Sequence, residues 1–311
     1  MIASPKRLFC FGLGYTAQFL IDTLRAENSG WTFAGTTRDL AKSRDLRQQG
    51  ITTFLFDDTT SLVDPRYALD GVTHILVSTP PEIRNDPVLA HHSDDLAGMK
   101  GLKWLAYLST TGVYGNRDGD WVSETSDLNP TSIRGTRRMR AEEEWQSLAH
   151  QAGLPLHIFR LAGIYGPGRS ALDSVRAGIA RRLLKPNHVF NRIHVADIIG
   201  ILLRSMDAPH PGAIYNVSDD EPCASHEVIA YACQLLDVLA PPLISVDEAN
   251  LAPITRSFYS DNKRVRNDKV KADLNYTFQF PDFRNGLKGC QKWERTHPDT
   301  PPPSGSAESV G

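Results

Sequence analysis

The sequence predicts an α/β protein, with a Rossmann-type doubly wound parallel sheet and a smaller C-terminal substrate-binding domain. Short apolar runs alternate with longer amphipathic segments, which is the pattern of buried parallel strands joined by crossover helices. A glycine-rich turn, GLGYTA at 12–17, stands between the first apolar run and the first helical pattern. The chain has 311 residues, of which 41% are hydrophobic and 23% charged, a composition that suits one large or two modest globular domains.

Each strand is predicted from a short run of apolar residues that is too brief for a helix. In chain order the runs are Lys6–Gly14, Trp31–Thr37, Thr53–Asp57, His74–Ser78, Trp104–Ser109, Leu156–Leu161 and Ala213–Asp219. Residues 188–206 (HVFNRIHVADIIGILLRSM) are interpreted as one more strand followed by a helix. Most of the runs are separated by enough chain for a crossover helix, so the predicted sheet is parallel.

Three segments predict helices that bear on function. Residues 15–28 place apolar side chains at helical spacing directly after the glycine turn. Residues 133–145, IRGTRRMRAEEEW, form a helix that carries four arginines in its first two turns. Residues 170–185, SALDSVRAGIARRLLK, are interpreted as a helix outside the sheet.

These patterns predict two domains and a tail. Residues 1–163, together with about 188–219, form the dinucleotide-binding domain. Residues from about 164 to 187 and from 220 to 289 form the smaller substrate domain. Residues 290–311 are predicted to be a disordered tail, because the sequence from His297 is rich in proline, glycine and serine and has almost nothing to bury.

Composition excludes several classes of function. The net charge of -2 argues against a nucleic-acid partner, which needs a basic excess. No apolar run approaches the roughly 18 residues of a membrane span, so no membrane partner is expected. The four cysteines are scattered without a CxxC pair, which predicts a reducing cytoplasm. The HHSDD stretch at 91–95 is interpreted as a solvated helix face, and no metal site is predicted.

The glycine-rich turn predicts a dinucleotide site. It fits G-x-G-x-x-G/A and sits between a strand and a helix, the context that gives this motif its meaning. Gly12 permits the tight turn, Gly14 lets the backbone approach a pyrophosphate, and Ala17 keeps helix and strand close. The predicted cofactor residues of the turn are Gly12, Leu13, Gly14, Tyr15, Thr16 and Ala17. A turn that only ends a strand is the alternative.

The ends of the following strands predict which dinucleotide binds. Arg38 follows the second strand and offers a planar fork of donors to a 2′-phosphate, which favours NADP. NAD stays open, because Asp39 could accept from a ribose 2′-hydroxyl. Asp57 closes the third strand and is expected near the adenine, and Thr79 is expected to border the adenosine half of the site.

A series of motifs then resembles the extended short-chain dehydrogenases/reductases, most closely their nucleotide-sugar epimerase/dehydratase branch. The motifs are LSTTGVYG at 108–115, RLAGIYGPGR at 160–169, RIHVADI at 192–198, YNVSD at 215–219 and NKRVRNDKVKADL at 262–274. They occur in the order that the family shows. The resemblance covers roughly residues 6 to 289.

The resemblance also exposes a departure in the catalytic residues. It implies that Thr110 hydrogen-bonds the substrate oxygen and that a Tyr-x-x-x-Lys pair on the next helix exchanges the proton. Arg134 and Arg138 stand at those two positions. Arginine stays protonated near neutrality, so it cannot relay a proton. Tyr114 is a candidate for a displaced acid/base, with a core tyrosine as the alternative.

The arginines instead point to the ligand. Arg134 and Arg138 could bind a phosphate or carboxylate, with a solvated helix face as the alternative. By resemblance, Arg169 and Arg192 fall where family members hold substrate phosphates. His194, in the family's HVxD segment, lines the substrate cleft or serves structure.

Two functions follow from these residues. The first is an NADP-dependent oxidoreductase or epimerase-like enzyme that acts on a small or nucleotide-linked carbonyl or hydroxyl compound, with a displaced proton donor. The alternative is a catalytically weak or inactive NADP(H)-binding redox sensor or interaction protein. The expected partner is a small molecule, anionic or nucleotide-linked. The oligomeric state stays open, with a homodimer as one option.

Overall fold

The computed structural model describes residues 6–27 and 30–303. The chain divides into two compact units. The first consists of the residues up to Ser109 with Thr136–Phe159 and Leu202–Ile214. The second consists of Thr110–Gly135, Arg160–Ile201 and the residues from Tyr215 onward. In the predicted division, residues 110–135 and 188–201 belonged to the dinucleotide-binding domain, whereas the second unit contains them.

The seven strands of the central sheet follow the predicted apolar runs, and further short strands lie outside that sheet. In chain order the strands are β1 (Lys6–Phe11), β2 (Trp31–Thr37), β3 (Thr52–Leu55), β4 (His74–Val77), β5 (Trp104–Thr110), β6 (Trp121–Val122), β7 (Leu156–Leu161), β8 (Gly163–Tyr165), β9 (Arg182–Leu184), β10 (Arg192–His194), β11 (Ile214–Val217), β12 (Leu243–Ser245) and β13 (Arg264–Val265). Every residue of β4 and β7 is buried, as expected for central strands covered on both faces.

The helices are α1 (Tyr15–Ala26), α2 (Leu40–Gln48), α3 (Pro65–Leu69), α4 (Pro87–Ala97), α5 (Ile133–Ala152), α6 (Ala171–Arg176), α7 (Val195–Asp207), α8 (Ser225–Leu235), α9 (Pro253–Phe258), α10 (Asp268–Asp273) and α11 (Phe283–Thr296). A short 3₁₀ helix covers Thr111–Tyr114. Among the described helices, none combines the length and the apolar character that a membrane crossing requires.

The central sheet is parallel and Rossmann-like, and it confirms the predicted fold class. Its seven strands have the order β11-β7-β5-β4-β1-β2-β3. From β1 the chain builds outward through β2 and β3, then returns to the other side of β1 with β4. The strand order therefore reverses between β1 and β4, and in open α/β sheets ligands bind beyond the carboxyl ends of the strands at such a point.

The predicted helix over 170–185 is wrong beyond its first half. Helix α6 ends at Arg176, and Gly178 takes the left-handed conformation (φ +68°) that commonly ends a helix. The chain then forms β9, which pairs in parallel with β12 through Arg182 and Leu243.

The predicted start of the tail at residue 290 is also wrong. Helix α11 continues to Thr296, and its Cys290 is fully buried in a cluster with Phe283 and Leu287. Beyond the helix, Pro302 lies against Gly168, where an added Cβ would come within 2.2 Å of its ring. The last part of the predicted tail, 304–311, lies outside the described residues.

The interpretation of HHSDD as a solvated face is wrong for His92. This residue interrupts α4 with a non-helical backbone (φ −134°, ψ 16°), and its side chain is buried. The His92 Nε2 atom accepts from the Leu62 N–H at 3.2 Å, while Nδ1 lies 2.9 Å from the Asp95 carboxylate. Within the described residues, no group of three or more His, Cys, Asp or Glu side chains could hold a metal ion.

Candidate dinucleotide and ligand sites

The glycine turn after β1 is tight at its first position. Gly12 has φ +91°, which favours glycine, and a Cβ there would lie 2.8 Å from the Ser78 Oγ. The Gly12 N–H donates to the Thr36 Oγ1 at 2.8 Å, and the Leu13 N–H donates to the Thr36 carbonyl at 2.8 Å. The turn is therefore held between the ends of β2 and β4.

The third residue of the turn is open. Gly14 is the N-cap of α1, and a Cβ built on it would meet nothing within 4 Å. The N-cap residue makes no side-chain cap hydrogen bond at this helix end, and a helix N-terminus favours an anion. Ala17 is fully buried and lets α1 pack closely. This open cradle fits the pyrophosphate of a dinucleotide.

The remaining turn residues have buried side chains. Leu13, Tyr15 and Thr16 are all buried. The Tyr15 ring packs edge-on against Phe19, with 4.9 Å between ring centroids. Their side chains therefore serve the packing of α1, so contacts from this part of the turn to a ligand would come from the backbone.

Arg38 and Asp39, just after β2, are the two candidates for contacting the adenosine ribose, and their surroundings differ. Asp39 is the N-cap of α2, and its carboxylate accepts from the Ala41 N–H at 2.7 Å and the Lys42 N–H at 3.2 Å. The carboxylate that an NAD site would use is thus engaged by the helix. Arg38, immediately before it, is exposed.

Asp57 and Thr79 lie at the ends of β3 and β4 in the same unit. The Asp57 carboxylate accepts from the Thr59 N–H at 2.9 Å and the Thr59 hydroxyl at 2.8 Å, which lowers the pKa of Asp57. The Thr79 hydroxyl donates to the Phe11 carbonyl at 3.1 Å. Both side chains thus have local partners, and their contact with adenosine stays a prediction.

Arg138 ties α5 to β5. Its Nη1 donates to the Leu108 carbonyl at 2.9 Å and to the Tyr107 hydroxyl at 3.0 Å, and its guanidinium lies 5.3 Å from the Tyr107 ring centroid. Tyr107 is fully buried, and burial raises the pKa of its hydroxyl. Arg138 therefore stabilises the attachment of the helix to the strand.

A second polar contact between the same two elements was not predicted. The Ser109 hydroxyl donates to the Glu142 carboxylate, and both side chains are buried. Glu142 follows Arg138 by one helical turn, so its place on the buried face of α5 is the signal that the sequence analysis missed.

Thr110 and Arg134 belong to one neighbourhood in the second unit. The half-buried Thr110 accepts at Oγ1 from the Gly112 N–H at 3.1 Å. A Cβ on Gly135, the residue after Arg134, would lie 2.8 Å from the Gly112 carbonyl oxygen. The start of α5 therefore packs directly on the turn that follows Thr110.

Arg134 itself is exposed and rests on an aromatic ring. Its guanidinium carbon lies 4.9 Å from the Phe258 ring centroid. Within the described residues it has no hydrogen-bond acceptor and no carboxylate within ion-pair distance. Its N–H donors therefore point to water or to a ligand.

Tyr114 is enclosed, in agreement with the alternative of a core tyrosine. It is fully buried; its hydroxyl donates to the Asn216 Oδ1 at 2.6 Å and accepts from the Arg160 Nη1 at 2.9 Å. Burial raises the pKa of Tyr114. With both hydrogen-bonding roles taken inside the protein, this hydroxyl is a poor proton donor to a substrate.

The predicted substrate residues of the second unit have mainly structural surroundings. Arg192 is buried, and its Nη1 donates to the Phe190 carbonyl at 3.2 Å and the Cys223 carbonyl at 3.1 Å. His194 is buried with its ring 4.1 Å from that of Phe280, and burial lowers the pKa of His194 to about 3. His194 is therefore neutral and part of the core, and its expected place in a substrate cleft is not supported.

The expected contact of Arg169 with a substrate phosphate stays a prediction. It is half-buried, and its N–H donates to the Gly166 carbonyl at 3.0 Å in the turn before α6.

Comparison with known proteins finds a family match for part of this sequence. The family model described as the NAD dependent epimerase/dehydratase family matches residues 94–218. A functionally unknown conserved protein of known structure from Silicibacter pomeroyi DSS is 46% identical, with a TM-score of 0.85, over 92% of this chain and 98% of that one. Over residues 94–218, the chain is similar to the NAD dependent epimerase/dehydratase family.

Two further proteins resemble this chain, one in sequence and one in fold. Protein YeeZ of Escherichia coli K12 is 28% identical over 287 residues, which are 89% of this chain and 97% of YeeZ. The UDP-glucuronic acid 4-epimerase of Bacillus cereus, solved with UDP-glucuronic acid and NAD, shares the fold with a TM-score of 0.74 at 14% identity. That likeness covers 93% of this chain and 99% of the epimerase.

Arg134 and Arg138 stand at the two positions where the family resemblance implies a Tyr-x-x-x-Lys pair. Thr110 keeps the hydroxyl that the family resemblance implies, and the glycine turn keeps its shape. Arg138 donates to β5, whereas Arg134 has no acceptor for its guanidinium in the part of the chain that the structure describes. The two arginines therefore do different work, although they lie one helical turn apart.

Proposed function

We propose that this protein binds NADP(H) and acts as an oxidoreductase or epimerase-like enzyme on a small or nucleotide-linked compound that carries a carbonyl or hydroxyl group. The single observation that carries the proposal is the open cradle at Gly14, bordered by a strand end where Asp39 is engaged and Arg38 is exposed. NAD bound to the fold neighbour from Bacillus cereus supports a dinucleotide in this family. The four cysteines are free and buried, which supports the cytoplasm as the compartment.

The chain's own residues would bind and orient rather than relay a proton. When bound, the nicotinamide supplies hydride transfer. Thr110 accepts at Oγ1 from the Gly112 N–H, so its own O–H remains to donate to a substrate oxygen. Neither Arg134 nor Arg138 can exchange a proton near neutrality. The proton of the reaction therefore has to come from water or from the substrate itself.

The alternative function is an NADP(H)-binding redox sensor with little or no turnover. The enclosure of the Tyr114 hydroxyl favours it, because the strongest candidate for a displaced proton donor is occupied by Arg160 and Asn216. Both functions require the same cofactor site, and they differ in whether bound NADPH is consumed.

A pair of glycine variants tests the cofactor site. We expect Gly14→Val to remain folded, since its side chain would enter open space, and to lose NADPH binding because it fills the place of the pyrophosphate. Gly101→Val is the matched control, since Gly101 also has open space around its Cβ position and lies outside the turn. Quenching of tryptophan fluorescence by NADPH measures binding, and circular dichroism measures folding.

Undiminished NADPH affinity in folded Gly14→Val would refute the proposed cofactor site.

Measurement of turnover separates the enzyme from the redox sensor. Absorbance at the nicotinamide band is followed while the NADPH complex is mixed with nucleotide sugars, hydroxy acids and small carbonyl compounds. Oxidation of NADPH by any of them supports the enzyme, and tight binding without oxidation favours the sensor.

A further inference from the structure

We propose that Arg134 and Phe258 together form a receptor for a carboxylate group of the ligand. The inference rests on the proposed function for the identity of the protein's ligand as a small or nucleotide-linked compound. It adds an element that the family motifs do not contain, helix α9, and it narrows the ligand to an acid.

The first observation is that Arg134 is fixed in place. Its guanidinium stacks over the Phe258 ring at 4.9 Å, a cation–π distance. The same two segments are joined again where the Thr131 hydroxyl donates to the Asp261 carboxylate. Two contacts therefore hold the start of α5 against the end of α9, and the exposed arginine has less conformational freedom to lose when a ligand binds.

The second observation is that the fixed arginine has no internal use for its donors. Arg138 donates to a carbonyl and a hydroxyl of β5, but Arg134 has no such acceptor within the described residues. The ring of Phe258 covers a face of the guanidinium and cannot accept its in-plane hydrogen bonds. The edge of the guanidinium is thus available as a planar fork.

This fork selects a carboxylate. A guanidinium donates two parallel hydrogen bonds to the two oxygens of one carboxylate, and one positive charge balances one negative charge. A phosphate dianion would keep an unbalanced charge at a single arginine. A ring stacked on the guanidinium also favours a flat group over a tetrahedral one.

The neighbourhood defines the acid further. Gly135 packs on the Gly112 carbonyl, and the Gly112 N–H bonds to the Thr110 hydroxyl, so Arg134 and Thr110 are linked through one short chain of contacts. A ligand whose carboxylate meets Arg134 and whose carbonyl or hydroxyl meets Thr110 must carry both groups close together. Uronic acids, oxo acids and hydroxy acids have this arrangement.

Two matched ligand pairs test the receptor. UDP-glucuronic acid and UDP-glucose differ in one carboxylate, and lactate and lactamide differ by one charge at nearly constant size. Binding of each is measured by calorimetry to the wild-type protein saturated with NADPH and to the protein alone. We expect the acid of at least one pair to bind about tenfold or more tightly than its neutral partner, as for a charge-assisted bidentate contact.

The variants assign that preference to the two residues. Arg134→Ala is expected to abolish it, and Phe258→Leu to reduce it several-fold by removing the aromatic face. Phe258→Tyr keeps an aromatic face and is expected to retain the preference, which separates loss of stacking from disturbed folding. Arg140→Ala, on an exposed part of the same helix, is the control and should change nothing.

Absence of a preference for the acid in both pairs would overturn the receptor, and so would a preference that survives Arg134→Ala. NADPH affinity is measured on the same samples. If wild type prefers the acid but does not bind NADPH, the proposed function is refuted and the carboxylate receptor is retained.

Discussion

At the scale of single residues, the two arginines of α5 have different surroundings although they lie one helical turn apart. Arg138 is bonded to Leu108 and Tyr107 of β5. Arg134 lies over the Phe258 ring, and none of the described residues provides an acceptor for its guanidinium donors. Residue type alone would give both the same role, and only their surroundings distinguish them.

Arg138→Ala tests the structural role of the first of these residues. It leaves the buried Tyr107 hydroxyl without its partner, so we expect a loss of about 1–3 kcal/mol in the free energy of unfolding. Adding Tyr107→Phe should recover part of the loss, because the unsatisfied hydroxyl is removed. Urea unfolding of the two single variants and the double variant measures this. Equal stability of Arg138→Ala and wild type would contradict the role.

A residue such as Arg134 also shows what sequence reasoning cannot reach. The arginine and its departure from Tyr-x-x-x-Lys are readable in one short stretch. Phe258 lies far along the chain in a six-residue helix, and no periodicity links the two. The Ser109–Glu142 pair and the enclosure of Tyr114 by Arg160 are likewise decided by packing between distant segments.

At the scale of elements, the strands predicted best are those whose buried residues form an apolar run in the sequence. Strands β2 and β7 coincide with their predicted ranges, because the middle residues of β2 and all residues of β7 form continuous buried runs in the sheet. Short elements such as β9 depend on backbone pairing with a partner that is remote in sequence. The predicted helix at α6 was too long because the residues around Gly178 favour a helix, whereas Gly178 takes a left-handed conformation that ends it.

The start of α5 offers a test at this scale. Gly135 lies within the helix, where alanine would ordinarily be favoured by up to about 1 kcal/mol. Here a Cβ would meet the Gly112 carbonyl oxygen at 2.8 Å, and a backbone atom cannot move aside cheaply. We therefore expect Gly135→Ala to lower the free energy of unfolding by about 1–3 kcal/mol, as for overpacking. Gly101→Ala is the control, and greater stability of Gly135→Ala than of wild type would show that the close packing is absent.

At the scale of the whole molecule, buried histidines predict a dependence of stability on pH. Burial lowers the pKa of His194 to about 3, and it lowers the pKa of three further histidines to about 4: His74, His157 and His188. An unfolded histidine has a pKa of about 6.5. Below that pH the unfolded chain binds more protons than the folded chain, so the free energy of unfolding falls as pH drops from about 6.5 toward 4.

Buried carboxylates act in the opposite direction. Burial raises the pKa values of Asp197 and Asp219, so their contribution is present at low pH and is lost as pH rises through their folded pKa. His194→Gln therefore isolates the histidine effect. Urea unfolding at pH 7.5 and 5 should show a smaller loss of stability for this variant than for wild type, whereas exposed His150→Gln should keep the full loss. Equal losses in all three proteins would contradict the assignment.

The whole fold also sets where the cofactor belongs. The reversal of strand order between β1 and β4 brings Gly12 beside Ser78, and the next strand presents Arg38. The sequence predicts this arrangement well, since it depends on local motifs at the ends of apolar runs. The engagement of Asp39 as a helix cap supports the proposed preference for NADP, which the motif alone left open.

The affinity ratio of NADPH to NADH tests the central claim most directly. Titration of both cofactors is carried out with wild type, Arg38→Ala and Asp39→Asn, the last of which keeps a good N-cap. We expect wild type to bind NADPH more tightly by about 1.5–3 kcal/mol, the range of a charge-assisted contact. Arg38→Ala should lose most of that difference and Asp39→Asn should keep it. Equal affinities for the two cofactors in wild type, or binding of neither, would contradict the account.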